Sequence, residues 1–217
     1  MTRTVAKARA GRRPRDAAAS RTAILDAAEA LFAHHGYRAT SLSEVGRRAG
    51  VSRGTPGYFF GSKEQLYRVV LDRALTAARH VLTQAQARAA ASGAGPEGLL
   101  REGIGGYLDF LVSRPTFVRL IEWETLSGGR SLGDVPAHII GLQEALAIAQ
   151  TELARGVFRR VDPAHMLISI LGLCWFPLAH ADTLVRTLGL NPQDPAFIEA
   201  RKRHVIDLIL NGIAPRA

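Results

Sequence analysis

Residues 40–66 read TSLSEVGRRAGVSRGTPGYFFGSKEQL. Ser41 and Glu44 have the Ser-x-x-Glu spacing of a capping box, which starts a short helix at Thr40 or Ser41. Gly50 ends that helix and supplies a tight turn. Ser52 is placed to cap a second short helix that stops near Phe60, and Ser62 caps the next one after Gly61. Val45, Ala49 and Val51 are apolar where the two short helices would touch. This is a helix-turn-helix pattern. In such a unit the second helix enters the major groove of DNA and the first crosses the backbone.

That task dictates side chains. Residues exposed on the second helix should be short or polar, so that the helix can approach base edges. Arg53, Gly54 and Thr55 fit: the guanidinium can donate two hydrogen bonds to a guanine, and the threonine offers a hydroxyl or a methyl. Thr40, Ser41, Tyr58 and Lys63 stand where hydroxyls and an ammonium can hold phosphates, which sets register rather than sequence preference. Ser52, Arg47 and Arg48 extend the same candidate surface. Each residue also has a structural use. Ser41 and Ser52 cap helices with or without DNA, the two arginines suit a solvated face, Tyr58 can be half-buried, and Phe59 or Phe60 belongs to the core.

The charge supports the DNA reading. The chain of 217 residues has a formal net charge of +9. Residues 1–61 hold 11 Lys/Arg against 4 Asp/Glu, and the other 156 hold 17 against 15. Positive charge gathered in the first quarter attracts phosphate or an anionic surface. Residues 1–19 have no apolar periodicity and are expected to form a disordered basic N-terminal arm. They lack the apolar segment of a secretory signal. The longest apolar stretch, Met166 to Ala179, is too short for a membrane span. The single cysteine, Cys174, excludes an internal disulfide and a cysteine zinc site, and it fits the cytoplasm. No metal, cofactor or membrane partner is expected.

Ala, Leu and Arg dominate, and aromatics are 6% of the chain, which favours an all-α fold. A first helix is expected from Ser20 to His35, with Ile24, Ala28, Leu31, Phe32 and His35 on one face and Gly36 at its end. A long helix is expected over 63–91, and after SGAGP (92–96) five more, at 97–113, 115–127, 136–159, 163–188 and 195–211. The count reaches nine. The expected organisation is a helix-turn-helix domain at 20–66 and a larger helical ligand-binding and dimerisation domain at 67–217.

Residues 20–66 resemble the DNA-binding domain of the TetR family of bacterial regulators. The likeness lies in LFAHHGY, in the segment from Ala39 to Ser52 (ATSLSEVGRRAGVS), and in GTPGYFFGSKEQL. Two positions depart from the family pattern. Pro56 and Gly57 stand where an aliphatic residue and an aromatic one, often tyrosine, are usual. Pro56 falls in the first turn, where a missing N–H costs least. Gly57 leaves Tyr58 as the only tyrosine for phosphate contact. The resemblance implies about nine helices, three of them in the DNA-binding domain. It also implies a homodimer on a pseudo-palindromic operator and repression relieved by a small-molecule effector in the second domain. The final two helices usually form the dimer interface. Here Ile198, Val205, Leu208, Ile209 and Ile213 lie near one face of the last helix.

Candidate pocket residues are Tyr107, Phe110, Leu111, Phe117, Ile121, Trp123, Phe158, Cys174, Trp175 and Phe176. Aromatic and aliphatic side chains at helical spacing are more often plain core than pocket wall. Catalysis is not expected. His180 is six residues from Cys174, about 240° around a helix, so no Cys–His pair forms there. GIGGY (103–107) lacks the dinucleotide fingerprint. The remaining rival is an architectural DNA-binding protein without sequence preference, to which the basic arm would suit.

Overall fold

A computed structural model describes the backbone of residues 14–215, and the side chains of these except 14–15, 134 and 136–139. The described residues form helices and no strands. They divide into two compact units, the first ending at Tyr67 and the second beginning at Arg68.

In the first unit, α1 spans Pro14–Ala39, α2 Leu42–Arg48 and α3 Thr55–Phe60. Residues 14–19 are helical, against the expectation of a disordered arm over 1–19. The rest of that expectation, 1–13, lies outside the described residues. α1 kinks at Gly36, where the sequence placed its end. Ile24, Ala28, Leu31 and Phe32 are buried along one face, whereas His35, expected on the same face, is exposed; α1 packs on both α2 and α3. Phe32 and Tyr37 pack on Tyr67, with ring centroids 4.7 and 5.0 Å away.

The turn between α2 and α3 rests on two glycines. Gly50 has φ +69, a left-handed conformation open to glycine at little cost. Gly46 is buried, and a Cβ there would lie 2.8 Å from the Ser52 carbonyl oxygen and 3.3 Å from Pro56 Cδ. Only a hydrogen in place of a side chain lets α2 approach this closely.

α4 (Lys63–Ser92) begins in the first unit and continues in the second. Its start carries a reciprocal cap: Gln65 N–H donates to Ser62 Oγ at 3.1 Å, and Ser62 N–H donates to Gln65 Oε1 at 3.2 Å.

The second unit continues with α5 (Gly95–Ser113), α6 (Pro115–Leu126), α7 (Pro136–Ala154), α8 (Pro163–Ala179) and α9 (Pro195–Ile213). Prolines mark the starts of α6 to α9, since the first turn has no use for their missing N–H. Asp162 caps α8 by accepting from Ala164 and His165 N–H at 2.8 and 3.0 Å. Two helices end earlier than the sequence suggested. α7 stops at Ala154 rather than 159, because Gly156 takes φ +73. α8 stops at Ala179 rather than 188, two residues beyond Pro177, and a single π-helical turn follows over Ala181–Val185. α5 packs against α6, α8 and α9, and α8 against α6, α7 and α9. Ile104, Leu108, Leu111 and Leu120 are fully enclosed there. Among the described residues no helix is long and apolar enough to cross a membrane.

Candidate nucleic-acid interface and effector cavity

The first unit offers one exposed polar surface at the helix-turn-helix. Ser41, Arg47, Arg48, Ser52, Arg53 and Gly54 are exposed, and Tyr58 is 85% exposed. A Cβ at Gly54 would meet nothing within 4 Å, so the backbone there is open to an approaching surface. Ser41 caps α2 by accepting from Glu44 N–H at 3.2 Å.

Three residues expected on that surface do other work. Thr55 is buried, and its hydroxyl shares a 2.6 Å hydrogen bond with Ser52 Oγ. Its N–H donates to the Ser52 carbonyl at 3.0 Å. Hence α3 begins at Thr55, and Ser52 belongs to the preceding turn instead of capping α3 directly. Thr40 is also buried, and its hydroxyl donates to the Gly36 carbonyl at 2.9 Å. Lys63 Nζ donates to the carbonyls of Tyr37 and Thr40 at 3.0 and 3.1 Å, and reaches that of Arg38 at 3.5 Å. It also lies 4.3 Å from the Tyr37 ring centroid. An ammonium has three hydrogens, and here all three serve the end of α1.

The departures at 56–57 are accommodated. Pro56 sits in the first turn of α3 and faces inward, close to Gly46. Gly57 is half-buried, and a Cβ there would lie 3.9 Å from Leu42. Phe60 is buried beneath the Arg21 guanidinium, 5.0 Å from its ring centroid, and Phe59 is half-buried.

The second unit holds an apolar cavity of about 620 Å³, partly open to solvent, between α4, α5, α6, α7 and α8. Tyr107, Phe117, Ile121, Phe158 and Trp175 lie on its wall. Phe110, Trp123, Cys174, Leu111 and Phe176 do not. Phe110 packs against Phe117 but opens toward a different groove. Trp123 is 38% exposed, and Phe176 is half exposed. Cys174 is fully buried behind the wall, and burial pushes its thiol up to about 12, so it is not a ready nucleophile at neutral pH. The sequence reading missed the contributions of α4 and α7, among them Leu75, Leu82, Ala145 and Ile148. These small and aliphatic residues look like ordinary core in sequence.

Polar groups on this wall are few. Arg79 forms a two-pronged ion pair with Glu144, its Nε donating to Oε2 at 2.6 Å. Glu152 pairs with Arg155 at 3.3 Å. Trp175 Nε1 donates to Glu122 Oε1 at 2.6 Å. Glu124 is buried on α6 and accepts from Ser131 N–H at 3.0 Å. A separate groove of about 850 Å³ between α4, α5 and α9 is strongly charged. Its Arg88–Glu102 and Lys202–Asp109 pairs, at 2.6 and 2.8 Å, are already matched.

Comparison with known proteins agrees with this arrangement. Residues 24–70 match the family described as bacterial regulatory proteins, tetR family, and residues 96–209 match the tetracyclin repressor-like C-terminal domain. The chain belongs to the TetR family. Over 211 residues it is 29% identical to the HTH-type transcriptional regulator RutR of Escherichia coli K12, covering 95% of this chain and 96% of that protein. It is 27% identical over 210 residues to the HTH-type transcriptional repressor NicS of Pseudomonas putida, covering 94% and 96%. The fold resembles that of a transcriptional regulator from Streptomyces coelicolor, with a TM-score of 0.70 at 23% identity over 91% of this chain and 99% of that one. It also resembles the ketosteroid transcriptional regulator KstR2 of Mycobacterium tuberculosis, with a TM-score of 0.65 at 18% identity over 90% and 97%.

As a TetR-family member the chain is a helix-turn-helix transcriptional regulator and not an enzyme. TetR-family regulators bind operator DNA and small-molecule effectors and act as dimers.

Proposed function

We propose that two copies of this chain bind a pseudo-palindromic operator as a repressor, and that a small molecule in the second unit's cavity releases them. The observation that carries the DNA reading is the exposed surface of Ser52, Arg53, Gly54 and Tyr58 at the start of and along α3. Arg53 reads a base edge, Gly54 permits close approach, and Tyr58, Ser41 and Arg47 hold phosphates.

Pairing is supported by apolar side chains left open on α8, on the segment after it and on α9. Phe176, Leu184, Leu188 and Leu208 are each 39% exposed or more. Leu208 faces away from Ile198, Val205, Ile209 and Ile213, which are buried within the unit. Apolar side chains exposed in this way suit burial between two copies of the chain.

Release follows from differential binding. An effector that favours the DNA-incompetent arrangement by about 1–3 kcal/mol weakens operator affinity about 5- to 150-fold. α4 carries residues of both units, which makes it the element through which such a bias would act.

Selection of bound duplexes from a random pool tests the reading. Two related half-sites with inverted symmetry are expected, bound by a species of twice the 23.4 kDa chain mass in sedimentation. Equal and weak attachment to every duplex would instead mark an architectural protein.

A further inference from the structure

We propose that the effector is an uncharged, mainly apolar molecule with one hydrogen-bond acceptor, positioned to receive the Tyr107 hydroxyl. This rests on reading the 620 Å³ cavity as the effector site. That volume is within the range that encloses a drug-sized ligand.

The argument is one of elimination on the wall. Apolar side chains from α4, α5, α7 and α8 make most of it. A ligand charge buried there would lose its hydration, a cost met only by an available counter-charge. The charged wall residues are already matched: Arg79 with Glu144, and Glu152 with Arg155. The indole N–H of Trp175 is spent on Glu122. Arg201, the cation beside Cys174, is not on the wall; its Nη2 donates to the Leu173 carbonyl at 2.8 Å, while its buried Nε has no partner among the described residues.

Tyr107 is the exception. It lies on the wall, and its hydroxyl has no hydrogen-bond partner among the described residues. Burial, with a smaller contribution from Cys174, raises its pKa well above the ordinary phenol value. At neutral pH it therefore stays a neutral O–H, a better donor than acceptor, with no charge to balance a cation. A carbonyl or ether oxygen meets that need; a pure hydrocarbon leaves the hydroxyl unsatisfied.

Four compounds on one skeleton separate the possibilities: tetralin, 2-tetralone, tetralin-2-carboxylate and protonated 2-aminotetralin. Each competes against N-phenyl-1-naphthylamine, whose uptake is read by energy transfer from tryptophan in the full-length protein. The ketone should displace the dye at the lowest concentration. The carboxylate and the ammonium should need about tenfold more or beyond. Tyr107→Phe should remove the ketone's advantage over tetralin, about 2- to 10-fold, in part because tetralin no longer strands a hydroxyl. A carboxylate or ammonium that binds as well as the ketone overturns the proposal, as does a Tyr107→Phe protein that keeps the full ketone advantage. Failure of the dye to enter at all removes the cavity reading beneath it.

Discussion

Gly46→Ala isolates the contact on which the DNA-facing turn depends. The added Cβ would sit 2.8 Å from the Ser52 carbonyl oxygen and 3.2 Å from Arg53 Cα, both backbone atoms that cannot swing aside. Ordinary contact begins at 3.4 Å, so the turn must retreat by about 0.6 Å. Overpacking of this kind costs about 1–3 kcal/mol of stability. The displaced residues include Arg53, and losing a bidentate base contact costs a further 1–3 kcal/mol or so in binding, about 5- to 150-fold. Denaturation followed by circular dichroism gives the first quantity. Fluorescence anisotropy on the selected duplex, well below the unfolding temperature, gives the second. Gly54→Ala is the control: its Cβ would meet nothing within 4 Å and its backbone is right-handed helical, so stability should hold. Binding should still weaken, because the proposed DNA face includes Gly54. A Gly46→Ala protein that unfolds and binds like the parent would refute the packing argument.

Three further outcomes are expected. Arg53→Ala should relax preference at one base position per half-site; a uniform loss across all sequences would make Arg53 a phosphate contact. Lys63→Met should destabilise the first unit by about 2 kcal/mol, because three carbonyls lose a charged donor. If stability held and only the salt slope of DNA binding fell by about one, the phosphate role would be restored. Asp162→Ala should lower the unfolding midpoint at neutral pH. Hydrogen bonds from the His165 and then the Ala164 backbone N–H hold its carboxyl below the ordinary aspartate value. That stabilisation is full above the unfolded pKa and is lost as pH falls through the lowered folded one. The gap between mutant and parent should therefore close in acid, and a gap independent of pH would discard the charged-cap explanation.

The sequence was most informative where a residue type has one physical meaning. Prolines 115, 136, 163 and 195 placed four helix starts, and the Ser41 and Ser62 signals placed two more. Helix ends were harder to read, because a positive-φ glycine such as Gly156 stops a helix that an apolar pattern would continue. On the candidate DNA surface, residue chemistry alone did not distinguish outward from inward. Thr55 and Thr40 have hydroxyls that suit phosphate, yet both are buried in local hydrogen bonds. Periodicity placed Tyr107, Phe117 and Trp175 on inward faces but could not say which faces leave space between them. Phe110 and Cys174 point inward too, and there they meet packed neighbours or another groove.

Six residues make α3, and half of them, Thr55, Pro56 and Phe60, are anchors. The alphabet left for addressing a genome is correspondingly small. On the proposed DNA face, redirecting this protein to a new promoter would mean rewriting the exposed positions 52, 53, 54 and 58 while the anchors stay untouched.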